Sequence, residues 1–425
     1  MLRHLTLLLV LLPGAVSAQT APFDDDGLPR VVVAPTERKR DRVAIPSVRC
    51  TGSGATCDEV DAQLRRNLEI STFFEILDAK TFIANMDQET LTETKWPDWF
   101  NVGARYLVKG TVSGAGPFDL ELRFFDVLER KALEVKGQSA RGLDQKGVHK
   151  AVDAFINGVI EAITGMPGIF GSRIVFAVKT GVQTRGIGIM EMDGDSEGGI
   201  AGGGTINQFP HFTSGGGILY TSWREGKPDL YIGSKKITHD AYHYRGADMG
   251  PGGQIAASLS MGSNSDIYLL SGDGSVLSAL THGEGINVSP TWSPDGSQIA
   301  FVSDRAGGPQ IYVMGAGGGG ASRVTMAGGY NSEPDWGKGG KIVFAAMTGG
   351  GSDIFVADPG GGGMERITQD QGTNGSPCWS PDGRYIAFVS SRDAEGRRIY
   401  ISSADGRWQF PVSKKAGAYS TLRWR

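Results

Sequence analysis

A mixed α/β N-terminal domain followed by an all-β six-bladed β-propeller, closed by the C-terminal strand, is the fold this sequence predicts. Three observations predict it: a strand unit repeated six times after residue 168, a high glycine content, and a different residue grammar over residues 28–167. The triplets Ile174-Val175-Phe176, Ile218-Leu219-Tyr220, Ile255-Ala256-Ala257, Ile299-Ala300-Phe301, Ile342-Val343-Phe344 and Ile386-Ala387-Phe388 begin at intervals of 44, 37, 44, 43 and 44 residues. Each is followed by a second apolar strand, from Ile187-Gly188-Ile189 to Ile399-Tyr400-Ile401, and mostly by a short third one such as Leu280-Thr281. Another strand precedes the triplet and ends in Trp292-Ser293-Pro294-Asp295-Gly296 or Trp379-Ser380-Pro381-Asp382-Gly383, where Pro-Asp-Gly sets a tight turn. Four antiparallel strands in roughly 40–50 residues make a propeller blade. Glycine, 64 of 425 residues, supplies the turns. The first unit starts at Arg173-Ile174 without an innermost strand, whereas Ser420-Thr421-Leu422-Arg423-Trp424 is an innermost strand with no blade after it. The C-terminus is therefore expected to close the ring.

At the other end, Arg3, the apolar run from Leu5 to Leu12, Pro13-Gly14 and Val16-Ser17-Ala18 read as a cleaved secretory signal over residues 1–18. The run is too short to span a bilayer, and no later apolar run reaches 18 residues, so direct membrane insertion is not expected. Residues 19–27 form an acidic segment. Removing residues 1–18 takes away one base and no acid, moving the formal net charge from −4 to −5, which argues against nucleic acid as a partner. Export places the chain in an oxidising compartment, where Cys50 and Cys57 are expected to form a disulfide around a short loop. Cys378, within a strand pattern, reads as a small buried residue.

Residues 28–167 suggest a strand at Val31-Val32-Val33-Ala34, a helix over 58–69 with Asp58 as N-cap, strands near 104–108 and 120–124, and an amphipathic helix over 148–164. The spacer Gly165-Met166-Pro167-Gly168 is too short for a flexible linker, so this domain and the propeller (168–425) should pack together. A monomer is expected.

Asp98-Trp99 with Gly103-Ala104 and Val108-Lys109-Gly110, the junction Thr164-Gly165 through Gly168-Ile169-Phe170 to Ser172-Arg173-Ile174, and the Ser-Pro-x-Trp-Ser-Pro-Asp-Gly blades together resemble the TolB family of the Tol-Pal envelope system. The resemblance covers most of the chain after the signal. It implies a periplasmic scaffold that binds a Pal-like peptidoglycan-associated lipoprotein through its propeller and supports envelope integrity and division. It also implies a TolA-like inner-membrane partner for the N-terminal segment; here that segment is acidic and lacks the family's apolar stretch.

Loops sort by face. If the innermost strand of each blade runs from face X to face Y, the turns between strands two and three and the blade-to-blade loops lie on X. Counting back from the strand-one prolines (Pro210, Pro290, Pro334, Pro377) gives Asn207, Asn287, Asn331 and Asn374, and the strand pattern adds His243 and Tyr419. This ring is expected at the X mouth of the channel, flanked by Tyr330 and Glu333, with Arg224, Arg305 and Arg392 in X-face loops. One reading makes the ring a donor set for a protein filling the channel. The other is that Asn recurs because it tolerates left-handed turns and caps its own backbone. The arginines suit carboxylate recognition or plain solvation. The resemblance also places Pal at the X mouth.

Catalytic patterns are not supported. Gly317-Gly318-Gly319-Gly320 and Gly360-Gly361-Gly362-Gly363 lie in hairpins without a following helix to hold phosphate, and Gly194-Asp195-Ser196-Glu197-Gly198 matches a nucleophile elbow outside its strand-to-helix setting. His239 and His243 have no evident third ligand. No catalytic residue, metal or cofactor is expected. Two rivals stay open: an exported module binding another envelope protein or glycan, and a peptidase-type propeller without its catalytic domain. The tryptophans at 292, 336, 379 and 424 share one strand position, which reads as blade packing.

Overall fold

In the N-terminal domain, short parallel pairings are built on one long hairpin. β1 (Asp41–Ala44) and β2 (Arg49–Gly52) both run parallel to β4 (Tyr106–Gly114), and β3 (Phe74–Ile76) lies parallel on the outer edge of β1. β5 (Phe118–Asp126) pairs antiparallel with β4 and carries β6 (Lys131–Leu133) and β7 (Ser139–Leu143) on its other edge. The computed structural model describes residues 39–52, 54–82 and 89–425; the expected signal, the acidic segment 19–27 and the strand at 31–34 lie outside them. Among the described residues no helix is long and apolar enough to cross a membrane.

Two helices cover one side of this sheet. α1 (Gly54–Ile70) buries Cys57, Val60, Leu64 and Leu68, whose spacing of three and four residues makes one stripe. The helix starts four residues earlier than the sequence suggests, so Asp58 lies inside it and caps nothing. Cys57 is the reason: bonded to Cys50 with the Cα atoms 6.0 Å apart, it is also the first residue of the buried stripe. α2 (Trp96–Asn101) is a short helix that buries Trp99. α3 (Gln145–Thr164) packs on α1. It begins at Asp144, whose carboxylate accepts from Gly147 N, and stops at Gly165, which adopts φ +76°.

From Arg173 onward, six four-stranded antiparallel sheets follow. The innermost strands of blades 2 to 6 are Asn207–Phe212, His243–Met249, Asn287–Trp292, Asn331–Trp336 and Asn374–Trp379. In blade 1 that place belongs to Tyr419–Trp424, which pairs antiparallel with Arg173–Lys179 and closes the ring. The expected tryptophans are buried between blades: Trp292 lies against Gly250 and Trp379 against Gly337. The Ser-Pro-Asp-Gly segments are the turns between strands one and two, with Ser293 Oγ and Ser297 N both donating to Asp295 Oδ1.

The two domains share one apolar cluster, from Val43 and Phe74 through Phe155 and Phe170 to Tyr385 and Trp424. Their polar contacts fall on the Y side of blades 6 and 1. Arg66 donates to the carbonyls of Asp193 and Val412, Tyr385 Oη donates to Ser71 O, and Arg40 stacks over Trp408.

Candidate functional site at the channel mouth

Innermost strands pair on one side only, so their channel-facing edge is free to depart from the ladder. In all six, the register shifts between the second and fifth strand positions. One residue of each is left-handed, the third in five strands and the fourth in the longer strand of blade 3: Phe209 (φ +54°), Gly246 (+101°), Ser289 (+53°), Glu333 (+55°), Ser376 (+52°) and Thr421 (+50°). Pro at the next position, as in Pro210 and Pro290, is tolerated because a bulge asks for no ladder donor there. Five non-glycine residues in this sparsely populated region are local strain repeated around an axis, of the kind that collects at binding sites. These six line a cavity of about 230 Å³ opening on X, together with Pro210, Pro290, Tyr330 and Arg423. Glu333 accepts from Ser376 N at 2.6 Å, and Ser376 Oγ accepts from Thr421 N at 2.9 Å, linking three blades along the wall.

The residue two places after the left-handed one in each strand forms the next layer down: Arg423, His211, Asp248, Thr291, Asp335 and Cys378. His211 Nε2 stands 2.8 Å from Asp248 Oδ1. Arg423 Nε reaches past the small, buried Cys378 to within 3.4 Å of Asp335 Oδ1. Each aspartate also accepts the backbone N–H of the next blade's tryptophan at 2.8 Å, Asp248 from Trp292 and Asp335 from Trp379. Burial opposes both charges. At Asp335 it wins, raising the carboxyl above its ordinary range despite Arg423; at Asp248 the His211 ring, its hydrogen bond and Arg423 prevail and hold the carboxyl below it. Below this layer a cavity of about 410 Å³ opens on Y.

The ring of asparagines stands where the count placed it, but its side chains are not offered to a partner. Asn207, Asn287, Asn331 and Asn374 are wholly buried. Asn287 Nδ2 donates to Asp266 Oδ1 at 3.0 Å, Asn331 Nδ2 to Gln310 Oε1 at 2.8 Å, and Asn374 Nδ2 to Asp353 Oδ1 at 3.1 Å. Each acceptor lies in the first three residues of the third strand of the preceding blade and also takes the hydroxyl proton of Thr281, Thr325 or Thr368. Asn207 Nδ2 reaches the Arg185 carbonyl in the same sense. The asparagines are therefore blade-to-blade staples outside the left-handed positions, and three of them also cap nearby backbone, Asn287 Nδ2 donating to Gly285 O, Asn331 Nδ2 to Ala327 O and Asn374 Nδ2 to Gly372 O. Their sequence signal was the constant separation of 21 residues from acceptor to Asn.

His243 is displaced by one. It pairs with Ser260, whereas Tyr244, opposite Leu259, holds the place of the asparagines, with Oη donating to Asp240 Oδ2. Blade 3 has Gly246-Ala247 where its neighbours carry the proline used for counting, and its innermost strand is a residue longer. Tyr419 is in register but buried, its Oη donating to Lys415 O. Arg305 and Arg392 stack over Phe301 and Tyr312 and over Phe388 and Tyr400, and donate to Asn287 Oδ1 at 3.0 Å and Asn374 Oδ1 at 3.3 Å. Arg224 stacks over Tyr231. Of the expected set, Tyr330 and Glu333 are the side chains that reach the mouth cavity.

Apart from Tyr330, sequence reasoning missed the apolar rim. Ile286 (46 % exposed), Met326 (67 %) and Tyr330 (43 %) stand in X-face connections leading into blades 4 and 5, Met347 (55 %) stands at the X end of the second strand of blade 5, and Met347 N donates to Tyr330 O. A lone large apolar residue inside an otherwise Gly-rich loop was the available signal.

Residues 160–425 match the family described as the TolB beta propeller domain, and residues 29–133 match the TolB amino-terminal domain. The chain belongs to the TolB family. Among curated TolB relatives, the Tol-Pal system protein TolB of Desulfosudis oleivorans is 38% identical over 252 residues, 56% of this chain and 55% of that protein. That of Anaeromyxobacter dehalogenans strain 2CP-C is 34% identical over 275 residues, 62% of each chain. The matches thus span between half and two thirds of these relatives. The crystal structure of TolB from Acinetobacter baumannii has the same fold, with a TM-score of 0.75 at 22% identity, covering 91% of this chain and 96% of that one.

Proposed function

We propose that this TolB-family chain is a non-catalytic periplasmic scaffold of the Tol-Pal system. It receives a Pal-like lipoprotein at the X mouth and so supports envelope integrity and outer-membrane constriction in division. The observation that carries this reading is the convergence on one mouth of six bulged strand positions and four exposed apolar side chains, on the face opposite the interdomain contacts. A flexible methionine pair beside a tyrosine, around a polar channel, suits a protein loop whose tip enters the cavity.

The test is titration of the soluble domain of Pal into the full chain by calorimetry. Tyr330→Ala combined with Met347→Ser should weaken binding by about tenfold or more, the range of truncated interface anchors, with the melting temperature held. Binding equal to that of the parent would overturn the assignment of the X mouth.

A further inference from the structure

Between α1, α3 and blade 1, away from the channel, lies a third cavity of about 660 Å³ whose lining includes Gln63, Asn67, His149, Glu191, Asp193 and Asp195. His149 and Asp153 occupy successive turns of α3 and share a face, whereas Glu191, Asp193 and Asp195 alternate along the hairpin joining strands three and four of blade 1. His149 Nε2 is 3.2 Å from Glu191 Oε2, 3.5 Å from Asp193 Oδ2 and 3.5 Å from Asp153 Oδ2. One ligand atom each from His149, Asp153 and Asp193 lie within 4.8 Å of one another, close enough to share one ion.

A single N–H satisfies one of three surrounding carboxylates. The other ring nitrogen, Nδ1, faces Asp195 Oδ2 at 3.3 Å, the carboxylate–histidine pairing that leaves Nε2 as an acceptor and orients it as a metal ligand. Lys414 pairs with Asp195; Arg66 donates to main-chain oxygens, with its charge also acting on Asp193, and Gln63 Nε2 donates to Asp153 Oδ1, which leaves three carboxylates, Asp153, Asp193 and Glu191, grouped around His149 Nε2. The remaining charged side chains of the lining are Glu59, Lys146 and Lys150.

Asn67 is wholly buried in the cavity wall. Its Nδ2 donates to Asp153 Oδ1 and Asp193 Oδ2, and its Oδ1 finds no donor. The amide nitrogen thus holds two of the candidate ligands in place, while its buried oxygen, in the same cavity wall, is left without a donor.

We propose that this cavity is a divalent-cation site of one imidazole and three carboxylates, of the Zn²⁺ or Mn²⁺ class, that fastens α3 to blade 1. Mixed nitrogen and oxygen donors select such ions over Mg²⁺ and Ca²⁺, which take oxygen. Because its ligands come from both domains, occupancy would tighten the joint between them.

The full chain, stripped with a chelator, is titrated with ZnCl₂ and separately with MnCl₂ by calorimetry, and melted with and without each. One equivalent should bind per chain and raise the melting temperature. His149→Ala and Asp193→Asn should each lower the affinity at least about tenfold, the loss typical even of outer-shell changes. Glu191→Gln, nearer the rim, guards against a folding failure in the other two and should show a smaller loss of the same sign. Absence of binding by both metals, or parental affinity in a folded Glu191→Gln together with either other variant, would overturn the site.

Discussion

Asparagine at the head of an innermost strand shows how far a residue can be read from its recurrence alone. The period was visible, and so was the face; the partner was not, because Asp266, Gln310 and Asp353 belong to the preceding blade and meet Asn287, Asn331 and Asn374 only once blades stack. Removing one such amide leaves a buried acceptor short of a donor, so Asn331→Ala should cost about 1–3 kcal/mol in urea unfolding. Affinity for a partner at the mouth should follow stability rather than lead it. A second residue-scale expectation concerns pH. The Asp295 carboxyl is lowered to about 2, first by the Ser293 hydroxyl and then by Ser297 N–H. Its unfolded value is near 4, so its contribution is present above about pH 4 and lost as pH falls through about 2. Melting curves of the parent and Asp295→Asn should differ at neutral pH and converge near pH 2.

At the scale of elements, strand order and turn chemistry were legible because period-two burial and Pro-Asp-Gly turns are local properties. Helix α1 was not read from its start. Its buried stripe opens with Cys57, a residue that sequence reading assigns to a disulfide before it is counted as apolar. Nor were the six bulges foreseen, since their left-handed residues are mostly Ser, Thr, Glu and Phe rather than Gly. Blade stacking gives a clean test. A Cβ on Gly337 would stand 2.5 Å from the Trp379 ring, and one on Gly250 would stand 2.8 Å from Trp292. Gly337→Ala should therefore lose about 1–3 kcal/mol, as overpacked sites do, with a changed near-ultraviolet dichroism band for the displaced indole.

For the whole molecule, closure is carried by one short strand. Arg173 N donates to Arg425 O at 2.6 Å and Arg425 N to Arg173 O at 2.9 Å, and Leu422 and Trp424 are buried in the apolar cluster that the two domains share. Deleting residues 419–425 should open blade 1 and expose core shared by both domains. Calorimetry should then show a lower and broader unfolding transition, with more protein insoluble on expression. A sharp transition at the parental temperature would mean that the other five blades and the N-terminal domain hold the ring without its closing strand.

Six blades, the order of their strands, closure by the C-terminus and the sorting of loops onto two faces all follow from patterns repeated within about 44 residues, and such patterns are written in the chain itself. Which polar side chains face solvent is different. The X-face arginines lie on aromatic rings and the asparagines are spent between blades, while Ile286, Met326 and Met347, unremarkable in sequence, form the exposed rim with Tyr330. The cluster of His149, Asp153, Glu191 and Asp193 likewise exists only where α3 meets blade 1. Packing alone settled these, because exposure and proximity are properties of segments brought together from distant parts of the chain.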